Sequence, residues 1–414
     1  MAKDIVVVGG GIVGVCSALL LQRAGNKVRL IDVKKPGRET SYGNAGVIAE
    51  TSFVVVNNPG LLRMLPKLLL NRTLKLRINH LFLLKRLPWF LKFFSYCRQV
   101  HVLQAAGSLR QLLTLSMAIH KDLISAAGVG HLLRQTGWLK LFRTEAGFFE
   151  FSKELKVIKS LGASFTVYDR EQIRQIEPGL KPVYCKGVLM DETCTVSNPA
   201  KLTDAYVELF QVAGGVVEKT KVSGLSQRDG SWYVQCEAQE FVADSVVLAA
   251  GAWSAEIASW LGYKIPMAWE RGYHMHLQPG EGPALTRPIH DIEAGFVMSP
   301  MDQGMRVTSG VELTDRDAQP NYQQINYSVE MARQAFDMKH QLDQSPWMGC
   351  RPTLIDSLPM IGAAPRHDGL WFNFGHQHLG LSLAPGSAQL LTALIENVSP
   401  PTAVAAFSPN RFHL

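Results

Sequence analysis

Ten residues near the N-terminus, Ile5-Val6-Val7-Val8-Gly9-Gly10-Gly11-Ile12-Val13-Gly14, constrain this chain more than any other stretch. A short β-rich apolar run that ends in glycines spaced G-x-G-x-x-G predicts a strand, a tight turn and a helix, with a phosphate group at the turn. Gly9 permits the turn, Gly11 lets backbone N–H groups approach a pyrophosphate, and Gly14 lets a helix over Val15 to Arg23 lie close on the strand. A second strand, Lys27-Val28-Arg29-Leu30-Ile31, leads to Asp32, where a carboxylate can accept hydrogen bonds from a ribose. These residues imply a dinucleotide, and the fingerprint alone does not separate NAD from FAD.

A chain of 414 residues can bury a large core and divide into two domains or so. Its six cysteines, Cys16, Cys97, Cys185, Cys194, Cys236 and Cys350, form no C-x-x-C pair. That spacing argues against a zinc site, a dithiol centre or a disulfide scaffold, so no metal is expected and a reducing compartment fits best. The first strand begins within a few residues of Met1, leaving no room for a signal peptide, and no apolar run is long enough to span a bilayer. The net charge of +7 is concentrated, because Thr51 to Lys121 holds eleven Lys and Arg and no Asp or Glu. The same segment is rich in Leu, Phe and Trp, most densely over residues 61–98. Two readings stay open there: a peripheral contact with an anionic membrane surface, or helices packed on the body with a solvated basic face. Too many apolar residues accompany the charge for a nucleic-acid surface. The expected location is cytoplasmic, with the inner face of the cytoplasmic membrane as the peripheral alternative.

Beyond Asp32, the polar loop Pro36 to Ile48 has small residues that let backbone and hydroxyl groups approach a flat ring. A helical stretch to about Ala127, a strand over Gly137 to Phe142, a helix over Glu145 to Ser160 and a short helical turn at Asp169 to Ile173 follow. Asn198 caps a helix over Pro199 to Ala213, which leads into a β-meander over Lys221 to Gln235. Ser245 to Ser254 reads as a buried parallel strand that ends in small residues. Short β-rich runs from Ile265 to about Thr314 suggest an antiparallel sheet, and Asn321 to Leu342 reads as a helix. After Gly375-His376-Gln377-His378-Leu379-Gly380-Leu381-Ser382, a last helix runs to about Asn397, and its N-terminus could stabilise an anion.

Together, the fingerprint through Asp32, the Thr40-Ser41 to Asn44-Ala45-Gly46 loop, Val246 to Ser254, Glu270-Arg271-Gly272-Tyr273-His274, Gly349 to Gly362 and Gly375 to Leu381 resemble the FAD-dependent D-amino-acid oxidase superfamily. Glu39 to Gly46 and Asp356-Ser357-Leu358-Pro359 look most like its D-amino-acid dehydrogenase and D-hydroxyproline dehydrogenase branch. The resemblance implies an α/β fold, a Rossmann-like FAD-binding domain (residues 1–80, 192–262 and 346–414) interwoven with an α+β substrate domain built on an antiparallel sheet (81–191 and 263–345). It implies FAD as cofactor, with ADP on Gly9, Gly11, Ile12, Val13, Gly14, Asp32 and Val33 and with Val222 near the adenine. Thr40, Ser41, Asn44, Ala45, Gly46 and Val47 would meet the flavin end, with Gly251 and Trp253 beside the cofactor. Gly375, His376, Leu379, Gly380, Leu381 and Ser382 would cover the pyrimidine edge of the ring.

Arg351 matches the G-x-R-P arginine that holds a substrate carboxylate in glycine oxidase-like sequences, and a guanidinium has the bidentate geometry for that task. Tyr273 could add a hydrogen bond, with His378 and His274 as weaker candidates; Cys350, at a position that tethers flavin in some relatives, reads as a small core residue with FAD held non-covalently, the tether being the alternative. The implied reaction is hydride transfer from Cα of an amino acid to flavin N5, giving a 2-oxo acid and ammonia, with electrons passed to a quinone or carrier. Alternatives are a narrow D-hydroxyproline or D-proline dehydrogenase, a soluble glycine- or sarcosine-type oxidase using oxygen, and a non-catalytic FAD-binding membrane or assembly factor.

Overall fold

The computed structural model describes residues 2–71 and 75–414. The N-terminal apolar run forms strand Asp4–Val8, with Lys27–Asp32 and Ser245–Leu248 parallel to it on either side. Val216–Lys219 and Leu370–Phe374 extend this sheet in parallel, and Met360–Ala363 closes it antiparallel. The central strands are buried on both faces, as their continuous Val, Ile and Leu runs require. Helix Ile12–Arg23 starts three residues earlier than the expected Val15, because Gly11 serves as its N-cap. It lies against Pro199–Val212 and the C-terminal helix Gly380–Ile395, and the long helix Gln99–Ala126 packs on the latter.

The second large sheet has eleven strands arranged around Met267–Pro279, which pairs with four antiparallel neighbours along its thirteen residues. Strand Trp347–Leu354 lies on the nucleotide side of the sequence boundary at 346, yet it pairs with Met267–His274 and so belongs to this sheet. Leu76–Ile78, also assigned to the nucleotide side, joins the same sheet through Val311–Leu313. One face of the sheet is packed under helices Arg170–Ile176 and Gln323–Ala335, around Leu277, Phe296, Met298 and Val307. The other face looks toward the nucleotide sheet.

The expected helix over Asn321 to Leu342 is shorter. It spans Gln323–Ala335, Phe336 turns extended into the core, and Met338–Gln341 pairs as a strand with Leu277 and Pro279. The unpaired backbone of the long strand outweighs helix propensity there. The buried strand expected over Ser245 to Ser254 ends at Leu248, and Gly251 at φ +53° begins a 3-10 turn through Trp253.

The basic segment folds into three helices, Pro59–Leu69, His80–Lys85 and Leu87–Ser95. Asn58 and Asn79 cap the first two through Gly60 and Phe82 N–H. Phe82, Trp89, Phe90 and Phe93 pack inward on Ala268 and Leu313, while Leu62, Leu70, Leu81, Leu84, Leu87 and Leu91 are exposed. The Leu69 carbonyl contacts His80 Nε2 at 2.7 Å, and Asn71 bonds Ile78 at both its N–H and C=O. Among the described residues no helix is long and apolar enough to cross a membrane.

Two stability predictions follow from this packing. A Cβ on Gly14 would overlap the Gly9 carbonyl oxygen, so Gly14→Ala is expected to destabilise the fold by about 1–3 kcal/mol, read as a lowered Tm and weakened FAD retention. His120 is fully buried between Tyr206 Oη and the Leu381 carbonyl, each at 2.8 Å, and burial pushes its imidazole down to about 4 despite the Leu381 contact. An unfolded histidine protonates near 6.5, so the unfolded chain binds the extra proton first, and this contribution to stability is present above about pH 6.5 and lost as pH falls toward 4. His120→Gln should flatten the acid decline in unfolding free energy relative to the native chain by up to about 1.4 kcal/mol per pH unit. An unchanged slope would show that His120 does not drive it.

Candidate active site

The glycine turn is built by close approaches. Gly9 sits at φ +110°, where its N–H donates to the Ile31 carbonyl at 2.9 Å and a Cβ would lie 2.6 Å from Ala249 O. Gly11 brings no capping side chain to the helix, and Ser41 supplies it instead, its Oγ accepting the Ile12 N–H at 3.0 Å. Asp32 accepts the N–H groups of Gly10 at 2.5 Å and Lys34 at 2.8 Å. Burial outweighs these two hydrogen bonds and raises its carboxyl above the usual range. The helix therefore points its first free N–H groups and positive end at the turn.

One cavity of about 1080 Å³ runs from this turn to the large sheet. Ligand pockets ordinarily measure roughly 300–1,000 Å³, and this one has room for a dinucleotide with a small substrate. Its nucleotide end is lined by Gly9, Gly11, Ile12, Val13, Asp32 and Val33, with Val222, Gly251 and Trp253 across from them. Its middle holds Thr40, Ser41, Asn44, Ala45 and Val47. Gly375, His376, Leu379, Gly380, Leu381 and Ser382 line the side at the start of the last helix. His376 Nε2 and Gln377 Nε2 there are buried without a hydrogen-bond partner, so this edge presents unmet polar groups of the kind a flavin's heteroatoms satisfy.

Two expected glycines are not in the lining. Gly14 is buried against Gly9. Gly46 at φ +72° presses its backbone onto strand Cys194–Val196, where a Cβ would overlap the Val196 carbonyl and its own carbonyl accepts the Val196 N–H at 2.6 Å.

At the substrate end, strands Met267–Pro279 and Trp347–Leu354 run antiparallel with Glu270 opposite Arg351 and Gly272 opposite Gly349. Period-2 alternation turns Glu270, Gly272, Gly349 and Arg351 to one face. The Arg351 guanidinium occupies the space over Gly272, where a Cβ would overlap it, and lines the cavity with Nη1 buried and unpartnered. Burial lowers its pKa, opposed by the Glu270 carboxylate. Glu270 Oε2 lies 2.6 Å from His378 Nε2, close enough for an ion pair but not aligned as a hydrogen bond. Burial would raise the Glu270 pKa, but His378, Thr353 and Arg351 together outweigh it and keep the carboxyl below its usual range.

Tyr273, Cys350 and His274 are all outside the cavity lining, which corrects the expectation for Tyr273 and His274. Tyr273 is on the opposite face, buried in the sheet's other core, with its hydroxyl donating to Glu312 at 2.5 Å and accepting the Asn321 N–H at 3.1 Å. Cys350 likewise faces away from the cavity, and burial pushes its thiol up to about 12, which leaves no reactive thiolate for a tether. Its carbonyl accepts the Thr40 hydroxyl at 2.7 Å. His274 shares the Arg351 face but is covered by Trp347, stacked on it at 4.8 Å, and burial together with Arg306 and His276 pushes it down to about 2. His378 does line the cavity. Glu270 and Gly272 belong to one stretch of the sequence, and strand pairing places them opposite and under Arg351.

The FAD dependent oxidoreductase family model (DAO) matches residues 4–394. A D-amino-acid oxidase of Bradyrhizobium diazoefficiens is 31% identical over 423 residues, covering 99% of this chain and 99% of its own. Among solved structures, glycine oxidase from Geobacillus kaustophilus superposes with a TM-score of 0.76 at 20% identity, covering 98% of each chain. L-proline dehydrogenase from P. horikoshii superposes with a TM-score of 0.77 at 18% identity, over 100% of this chain and 98% of that one. The full-length match and a cradle that fits the dinucleotide agree: the chain belongs to the DAO family of FAD-dependent oxidoreductases, with FAD as its cofactor.

Proposed function

We propose that the protein oxidises amino acids, D-amino acids foremost, to the 2-oxo acid and ammonia, and passes the electrons to a membrane quinone or another carrier. The observation that carries this reading is the unpartnered Nη1 of Arg351 at the cavity wall. A buried guanidinium with an unmet donor calls for a carboxylate, which can take two parallel N–H groups. The relative named D-amino-acid oxidase supports the D series, and the two structural neighbours are named for glycine and proline, which also carry an α-carboxylate.

In this reading Arg351 fixes the substrate carboxylate and thereby the position of Cα. Gly272 leaves the space in which the guanidinium lies, and the ionised Glu270 balances its charge and that of His378 when protonated. FAD, when bound, supplies the acceptor for the hydride that leaves Cα. Loss of that hydride and of a proton from nitrogen leaves an imine, which water converts to the 2-oxo acid and ammonia. The electron acceptor is read from the surface over residues 61–98. Exposed Leu81, Leu84, Leu87 and Leu91 stand beside Lys85, Arg86 and Lys92, apolar side chains with cations as an anionic bilayer holding a quinone would favour.

Arg351→Met is expected to lower kcat/KM for flavin bleaching by D-amino acids roughly 30- to 5000-fold, the loss of about 2–5 kcal/mol of a charge-pair contact. Gly272→Ala should displace the guanidinium while the fold survives, giving an about 10- to 100-fold loss with little change in Tm. Normal turnover in both variants would remove Arg351 from the reaction. The native holoenzyme should sediment with vesicles containing phosphatidylglycerol and reduce a soluble quinone faster than oxygen. The pair Leu84→Ser and Leu91→Ser should weaken sedimentation at least about tenfold, each leucine contributing ~1.5–3 kcal/mol when buried. Rapid turnover on oxygen alone would select an oxidase instead.

A further inference from the structure

The cavity has a second polar wall that the reaction above leaves unused. Strands Trp138–Phe142 and Ile289–Asp291 run parallel with Lys140 beside His290, and alternation turns Trp138, Lys140 and His290 toward the cavity. The Trp138 ring stacks on His290 with centroids 5.3 Å apart and planes 5° from parallel. Trp138 Nε1 and His290 Nδ1 are both buried without a hydrogen-bond partner. Lys140 is 6% exposed, and its ammonium, with three protons to donate, has one acceptor, Glu154 Oε1 at 3.5 Å, besides the faces of Trp138 and Phe151 at 5.1 Å and 4.8 Å.

Glu154 also lines this wall, but indole and ammonium nitrogens only donate, and the Trp138 N–H and the remaining Lys140 protons have no acceptor among the described residues. A ligand's oxygen atom would satisfy them. Lys75 lines the same wall and adds a second ammonium, with Asp291 and Glu293 near it. Burial, followed by Lys140, Lys75 and His378, pushes His290 down to about 3, so its imidazole is neutral. His378, which contacts Glu270 beside Arg351, lines the same cavity as His290.

We infer that Trp138, Lys140 and His290 form the side-chain subsite of the amino-acid pocket, and that it selects side chains ending in oxygen acceptors, a carboxylate or a carboxamide. This rests on the proposed amino-acid oxidation, with the α-carboxylate at Arg351.

The test uses the FAD-loaded protein and three achiral five-carbon probes that carry no amine and are not oxidised: glutarate, glutaramate and valerate. Their binding is read as perturbation of the flavin absorbance. Glutarate or glutaramate is expected to bind at least about tenfold tighter than valerate, the effect of one charge-assisted hydrogen bond, and whichever leads identifies carboxylate or carboxamide. Trp138→Phe and Lys140→Met should each reduce that preference, with the flavin spectrum and Tm confirming that the variant is folded. Valerate binding as tightly as both other probes, or a preference that survives both substitutions, would overturn the subsite. Anaerobic bleaching by D-glutamate, D-glutamine and D-norleucine is run alongside. A preference for the oxygen-tipped probes without bleaching by any amino acid would remove the reaction and leave the subsite, and efficient bleaching by D-norleucine with no probe preference would do the reverse.

Discussion

The structure depends on how closely the first helix approaches the first strand. Gly14 is pressed so near the Gly9 carbonyl that a single added carbon would overlap it, and Gly9 itself needs a backbone angle that side chains rarely adopt. That approach sets helix Ile12–Arg23 on the sheet, and two further layers follow from it. The C-terminal helix packs on the first helix, and the long helix Gln99–Ala126 packs on the C-terminal one. Buried polar contacts join the layers, as Asn373 Nδ2 donates to Ser17 Oγ at 2.9 Å and His120 spans Tyr206 and Leu381. Because the helix N-terminus cannot move away from the turn, its unmet N–H groups stay aimed at the cavity.

The large sheet solves a different problem. One strand of thirteen residues carries pairings along its length, and its alternation divides function from packing. Glu270 and Gly272 share the face of Arg351, Gly272 lining the cavity, while Arg271 and Tyr273 are tied into the opposite side, Arg271 through the carbonyls of Arg316 and Gln319. Arg351 needs all of this to be useful. Its guanidinium is held near a buried carboxylate that offsets its charge, over a glycine that leaves it space, and with one nitrogen uncommitted. A charge buried in this way is costly unless it is paired, which is the physical basis of the proposed carboxylate site.

The basic segment is packed on the body along one face. Its aromatic residues anchor it to the large sheet, and its leucines remain outside among lysines and arginines. Helix propensity and capping asparagines account for the helices, but the division into inward aromatics and outward leucines comes from which face meets Ala268 and Leu313.

Much of this was legible in the residues alone, for one reason: where a signal is local, sequence carries it. The glycine spacing, the acidic end of the second strand, the Asn198 cap of helix Pro199–Val212 and the helix Glu145–Ser160 each depend on neighbours a few residues away. The place of Arg351 at the cavity wall follows a short pattern. Tyr273, His274 and the end of the helix at Ala335 were not legible, because each was settled by a partner far along the chain. Tyr273 fell on the side of its strand away from the cavity, and His274 was covered by Trp347. Residues 338–341 gave up helix to satisfy the backbone of Leu277 and Pro279. The sequence by itself determined the nucleotide cradle, whose geometry is local backbone conformation; only the tertiary structure decided which side chains share the cavity, since that is a matter of strand register between segments far apart in the chain.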